Sequence, residues 1–123
     1  MKKKVAMELG MGSSLRHANY TAAAKRAVED ALWRNALTVA DALGFTRDDM
    51  IIDVDIAVQK PEQVNLEEVA SIFPYGKVTV TASKGGLDIA KPDSAKSLES
   101  SDVTVMAQAA IIVSFDFPDE EAA

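Results

Sequence analysis

With 123 residues, 48% of them hydrophobic and no cysteine, the chain is long enough for one domain over 1–123 with a buried core, and it lacks the thiols for a disulfide framework, a zinc–thiolate site or thiol catalysis. A formal net charge of -6 argues against the basic surface that a nucleic-acid partner needs. The one basic run, Lys2-Lys3-Lys4, leads into Val5-Ala6-Met7-Glu8-Leu9, too short and too charged for a signal core or a membrane span, so no membrane partner and a cytoplasmic location are expected.

Residues 5–9 read as the first strand, with Val5, Met7 and Leu9 toward the core and Ala6 and Glu8 away from it. A Gly10-x-Gly12 loop follows, and then a long helix over 19–43, capped by Asn19 or Thr21 and closed by Gly44 in the left-handed position that ends helices. Ala24, Val28, Leu32, Val39 and Leu43 form its core stripe, which leaves Trp33 and Leu37 on the opposite face in need of a partner. Residues 50–59 alternate as a second strand, with Ile52, Val54, Ile56 and Val58 inward and Asp53 and Asp55 outward. A short helix spans 65–73, with acids in its first turn and Pro74-Tyr75-Gly76 at its end. A third strand covers 77–83, with Val78, Val80 and Ala82 inward. Lys84-Gly85-Gly86 then turns the chain before Leu87-Asp88-Ile89, a polar loop fills 91–101, and a long last strand runs over 102–117. The acidic tail after Pro118 is expected to fray.

The order βαβαββ predicts an α+β fold, a two-layer α/β sandwich in which a four-stranded mixed sheet carries both helices on one face. The other face is then open. It is expected to carry Glu8, Asp53, Asp55, Thr79, Thr81, Thr104, Met106, Gln108, Ala110 and Ile112, too apolar for a plain solvent surface, so a homo-oligomer built through this face and the Trp33/Leu37 helix face is expected.

Several constellations could carry chemistry. The free amides and positive dipole end of the long helix would face the Gly10–Gly12 loop, a geometry that favours anions, although no third glycine or Gly-Lys-Ser/Thr ending makes it a nucleotide fingerprint. Arg16 forks onto planar oxyanions and His17 can move a proton near neutral pH. Asp53 and Asp55, with Glu8, form the one carboxylate trio that could hold a cation, yet one histidine and no cysteine argue against a tightly held metal. Ser83 and Lys84 could act as a nucleophile pair only if a bulge turned both to one side, because neighbouring strand residues face opposite ways.

Gly10-x-Gly12, Thr21-x-Ala23-x-x-x-Ala27-Val28, Asp53-Val54, Phe73-Pro74-Tyr75-Gly76 and Gly85-Gly86-Leu87 together resemble the Lin family, conserved hypothetical proteins of bacteria and plants, over nearly the whole chain and in the same order. The family hallmark is Gly-x-Gly-x-Asp-x-His-Gly. Here Gly10 and Gly12 match, whereas Ser14 stands at the aspartate, Arg16 at the histidine and His17 at the final glycine. The resemblance implies a fold and a site, with no established reaction and no cofactor. A small anionic ligand is therefore expected at the 10–17 loop, contacted by Gly10, Gly12, Ser14, Arg16 and His17, with Lys84, Gly85 and Gly86 as a second wall. Any catalysis would fall to His17, Ser14 or Lys84. The competing reading is a ligand-free assembly module on the same scaffold.

Overall fold

The computed structural model describes residues 1–33, 38–93 and 101–119, with the backbone alone at Trp33. The chain forms strand β1 (Lys2–Ser14), helix α1 (Tyr20–Trp33), the short helix α2 (Val39–Ala42), β2 (Ile51–Val58), the short helix α3 (Leu66–Ala70), β3 (Lys77–Lys84), β4 (Leu87–Ala90) and β5 (Val103–Asp116). The strands make one mixed sheet in the order β1-β5-β2-β3, and β4 also pairs with β5. The α+β two-layer architecture stands, with five strands among the described residues in place of the four expected. The strand order explains the fifth. β2 pairs with residues 108–114 of β5, and β4 takes up the same edge of β5 at residues 103–106, so the chain steps across the end of β2 after leaving β3.

The helices pack on one face over a core of Val54, Ile56, Ile111, Val113 and their neighbours, all essentially inaccessible to solvent. The inward set expected for β2 and the open-face set expected for the last strand are the observed ones. β1 is different in two respects. It does not break at Gly10 but stays paired with β5 through Ser14, and its faces are exchanged: Ala6, Glu8, Gly10 and Gly12 lie on the helix side, opposite Val113, Ile111, Ala109 and Ala107. The glycines set this parity. A methyl group on Gly12 would stand 2.7 Å from the Ala23 carbonyl oxygen and 2.6 Å from Arg26 Cβ, so α1 approaches β1 where β1 has no side chains. Ala23, Ala27 and Ala31, one per turn, supply the matching small surface on the helix and are buried.

The predicted helix over 19–43 is two helices. Thr38 leaves the helical region, α2 follows it, and Leu43 is 42% exposed where the longer helix would have buried it. Gly44 takes φ +79°, and the Gly44 and Phe45 amides donate to the Asp41 and Ala40 carbonyls, the double closure that favours a glycine at this point. Leu37 and the Trp33 side chain lie outside the described residues. At the far end of the sheet Phe45 stacks on Phe115, ring centres 4.5 Å apart, with Phe117 edge-on at 5.2 Å. Among the described residues no helix is long and apolar enough to cross a membrane.

Candidate functional site

β1, β2 and β3 are mutually parallel, because β1 and β2 both run antiparallel to β5 and β3 runs with β2. Their carboxyl ends therefore share one end of the sheet, where ligands gather in mixed α/β layers. Ser14, Arg16 and His17 emerge there from β1, and Lys84, Gly85 and Gly86 from β3. They are not neighbours, however. Lys84, at the end of β3, is three strand spacings from β1, about 14 Å across the sheet, and Gly86 lies against Met106 of β5, which stands between it and Ser13.

The turn after β1 is built by side chains. Ser14 is 4% exposed, and its hydroxyl oxygen accepts the Asn19 amide at 3.1 Å. Asn19 caps α1 as expected, accepting from the Ala22 amide at 2.9 Å, while Thr21 instead accepts the Asn65 amide and so ties α1 to the start of α3. The Ser101 amide donates to the Arg16 carbonyl at 2.6 Å and fastens the turn to the approach to β5. Arg16 and His17 keep exposed side chains on this anchored backbone. From the second turn of α1, Arg26 reaches back to donate from Nη1 to the Ser13 carbonyl at 2.6 Å. Ser13, Ser14, Leu15, Arg16, His17 and Arg26 line a cavity of about 440 Å³. Two guanidiniums and an imidazole thus border one concavity, and none of its lining residues is acidic.

The glycines expected in the turn lie instead within β1. Gly10 and Gly12 are half-buried strand residues, and α1 occupies the space on their helix side where a side chain would stand. The start of α1 already faces an acid of its own, since buried Tyr20 donates from its hydroxyl to Asp88 Oδ2 on β4 at 2.5 Å. Burial, then the Asp88 hydrogen bond and charge, then Glu62, push the Tyr20 phenol up to about 12. The second Asp88 oxygen, Oδ1, is buried without a hydrogen-bond partner. Tyr20→Phe leaves both carboxylate oxygens unserved and is expected to cost about 1–3 kcal/mol in urea unfolding at neutral pH. A phenol raised in the folded state stabilises it fully below pH 10 and ceases to do so as the pH climbs toward about 12, so that part of the alkaline loss of stability should be missing in Tyr20→Phe.

Lys84 ends β3 on the helix side, opposite Val58, and Ser83 sits beside Ala57 on the open side. With no register shift between β2 and β3, the two side chains diverge and form no nucleophile pair. Gly85 and Gly86 make the crossing to β4, held by Gln59, whose Nε2 donates to both carbonyls at 3.1 and 3.2 Å. The carboxylate trio also separates: Asp53 and Asp55 share the open face, where Lys2 pairs with Asp53 at 3.1 Å and Thr81 donates to Asp55 at 2.7 Å, whereas Glu8 lies on the helix side. Among the described residues no three histidine, cysteine or acidic side chains gather for a metal. Sequence reading missed Arg26, which looks like any exposed helical arginine until β1 is seen to run beneath it, and the Tyr20–Asp88 pair, which spans 68 residues of chain.

No curated protein matches the sequence. The crystal structure of an FtsZ-like protein of unknown function from Nostoc punctiforme is similar at 34% sequence identity and a TM-score of 0.82, over 94% of this chain and 98% of that one. The profile of a family described as conserved hypothetical protein, Lin0512_fam, matches residues 4–113, which take in most of β1 and β5 and all the elements between them, so the chain belongs to the Lin0512_fam family.

Proposed function

We propose that this protein binds a small anion, a phosphate or carboxylate, in the cavity between the 13–17 turn and α1. The observation that supports it is the convergence of Arg16, His17 and Arg26 on one concavity without an acidic lining residue, in a chain whose net charge is -6. Arginine offers paired N–H donors matched to two oxygens of such a group, and the anchored turn holds the backbone of Arg16 in place before a ligand arrives. Binding is the function assigned. Of the three side chains considered for catalysis, His17 alone lines the cavity with its side chain exposed, for the Ser14 oxygen closes the turn and Lys84 stands beyond the cavity.

Calorimetric titration with inorganic phosphate and with citrate tests this reading. Charge-assisted hydrogen bonds contribute about 1.5–3 kcal/mol, so Arg16→Ala is expected to weaken binding by about 10- to 100-fold, with Arg26→Ala following it and Lys84→Ala leaving affinity unchanged. Unchanged affinity in both arginine variants would move the anion elsewhere. No binding of either anion would leave the ligand-free assembly module as the function of this scaffold.

A further inference from the structure

The uncovered face of the sheet is more apolar than its sequence pattern predicts, because β1 turns its large side chains into it. Met7, Leu9 and Met11 of β1 point into it with 62%, 60% and 60% of their surface exposed, and Leu87 and Ile89 of β4 add 52% and 48% from the far side of β5. Register places half-buried Ile112, Ala110 and Met106 between them, opposite Met7, Leu9 and Ser13. Both apolar strands thus turn their large side chains away from the helices. Scattered exposed leucines are ordinary, but a patch continuous over three strands marks an interface.

We propose that this face is covered by the same face of another copy of this chain. Three observations select that occupant. The strands, 13, 14, 8, 8 and 4 residues long, span about 700 Å² at about 4.8 Å between strands and 3.3 Å per residue, close to the roughly 800 Å² each partner gives to a standard stable interface. The polar half mixes both signs, with Lys2 paired to Asp53, Asp55 accepting from Thr81 and Lys77 in register with Ile51 on the same face, so a copy of itself offers each sign its opposite, whereas a partner of one strong sign finds no opposing field to follow. The surface is a broad sheet, whose complement is a second sheet about 10 Å away rather than a single helix, and its methionines can adapt to copies of themselves.

Sedimentation velocity at micromolar concentration tests the proposal on the wild type, on Leu9→Asp and on Leu66→Asp, the last an equally apolar, 40% exposed position on α3 away from this face. The wild type and Leu66→Asp are expected to be oligomeric, and Leu9→Asp to shift to monomer by at least 100-fold in dissociation constant with an unchanged circular dichroism spectrum. Methionine oxidation by peroxide gives a second reading that needs no variant: in the oligomer Met7 and Met11 should resist as buried Met50 does while Met1 reacts. A monomeric wild type with Met7 and Met11 as reactive as Met1 overturns the proposal, and sedimentation of that monomer with phosphatidylcholine vesicles would give the face to a lipid surface. An oligomer untouched by Leu9→Asp, with both methionines still reactive, overturns it equally by placing the contact elsewhere. Phosphate titration of the monomeric variant keeps this outcome separate from that of the anion cavity.

Discussion

Gly10→Ala should lower the unfolding midpoint by about 10 °C, the shift expected when roughly 3 kcal/mol is taken from a domain of this size. The added methyl would stand 2.6 Å from the Ala31 amide nitrogen and 2.9 Å from its Cβ, and within hard contact of the Ala27 carbonyl oxygen. A flexible side chain could swing away. Backbone atoms of a packed helix cannot, so α1 must lift off β1 and surrender part of the Ala23, Ala27 and Ala31 contact. The double variant Gly10→Ala/Ala31→Gly separates the causes: it removes the side-chain clash and leaves the backbone clash, so recovery of less than about a third of the loss is expected. Full recovery would show that the helix backbone is not in contact with the strand.

Gly86→Ala should be comparably severe for a different reason. Gly86 combines φ +61° with a Cβ position 2.9 Å from the Ala57 carbonyl oxygen and in hard contact with the Met106 carbonyl oxygen. Left-handed backbone alone costs a non-glycine residue about 1–2 kcal/mol, and overpacking adds about 1–3 kcal/mol. Gly44 provides the comparison, having φ +79° with nothing within 4 Å of its Cβ position, so Gly44→Ala isolates the conformational cost. Urea unfolding of both variants should show Gly86→Ala losing at least 2 kcal/mol more than Gly44→Ala. Equal losses would mean that the crossing between β3 and β4 does not press against the ends of β2 and β5.

Where side-chain alternation had one apolar set to choose, sequence reading chose correctly. Ile52, Val54, Ile56 and Val58 on β2, and Val105 through Val113 on β5, are buried against the helices as their period demands. β1 and β4 broke the rule together, and for one reason. In Val5-Ala6-Met7-Glu8-Leu9 and Leu87-Asp88-Ile89 the large apolar residues are the ones turned from the helices, because two glycines must meet α1 and Asp88 must meet Tyr20 on the other side. Periodicity identifies a face. It does not say which layer that face will meet when both sides of the sheet are apolar. The candidate site was legible in part. Arg16 and His17 stand out by their chemistry and the strand-to-helix connection is legible, but the Gly-x-Gly reads as an anion-favouring turn when it lies in a strand thinned to admit a helix. A glycine needed for close approach and a glycine needed for a turn look alike in one dimension. Arg26 and Gln59 act through contacts with distant backbone, which no local pattern records.

The pairing of β5 bears on how the fold is reached. β1 and β4 are each hydrogen-bonded to β5, and β2 joins them through β5, so among the described strands only β2 and β3 can pair before residues 103–116 arrive. The first strand must wait for the last, with Lys2 set opposite Asp116. Such long-range closure carries a large loop entropy before any contact repays it, which makes for slow, late and all-or-none assembly. Until then Met7, Leu9 and Met11 belong to an unpaired apolar segment, and the same residues that stand exposed on the finished sheet make the unfinished chain prone to premature association.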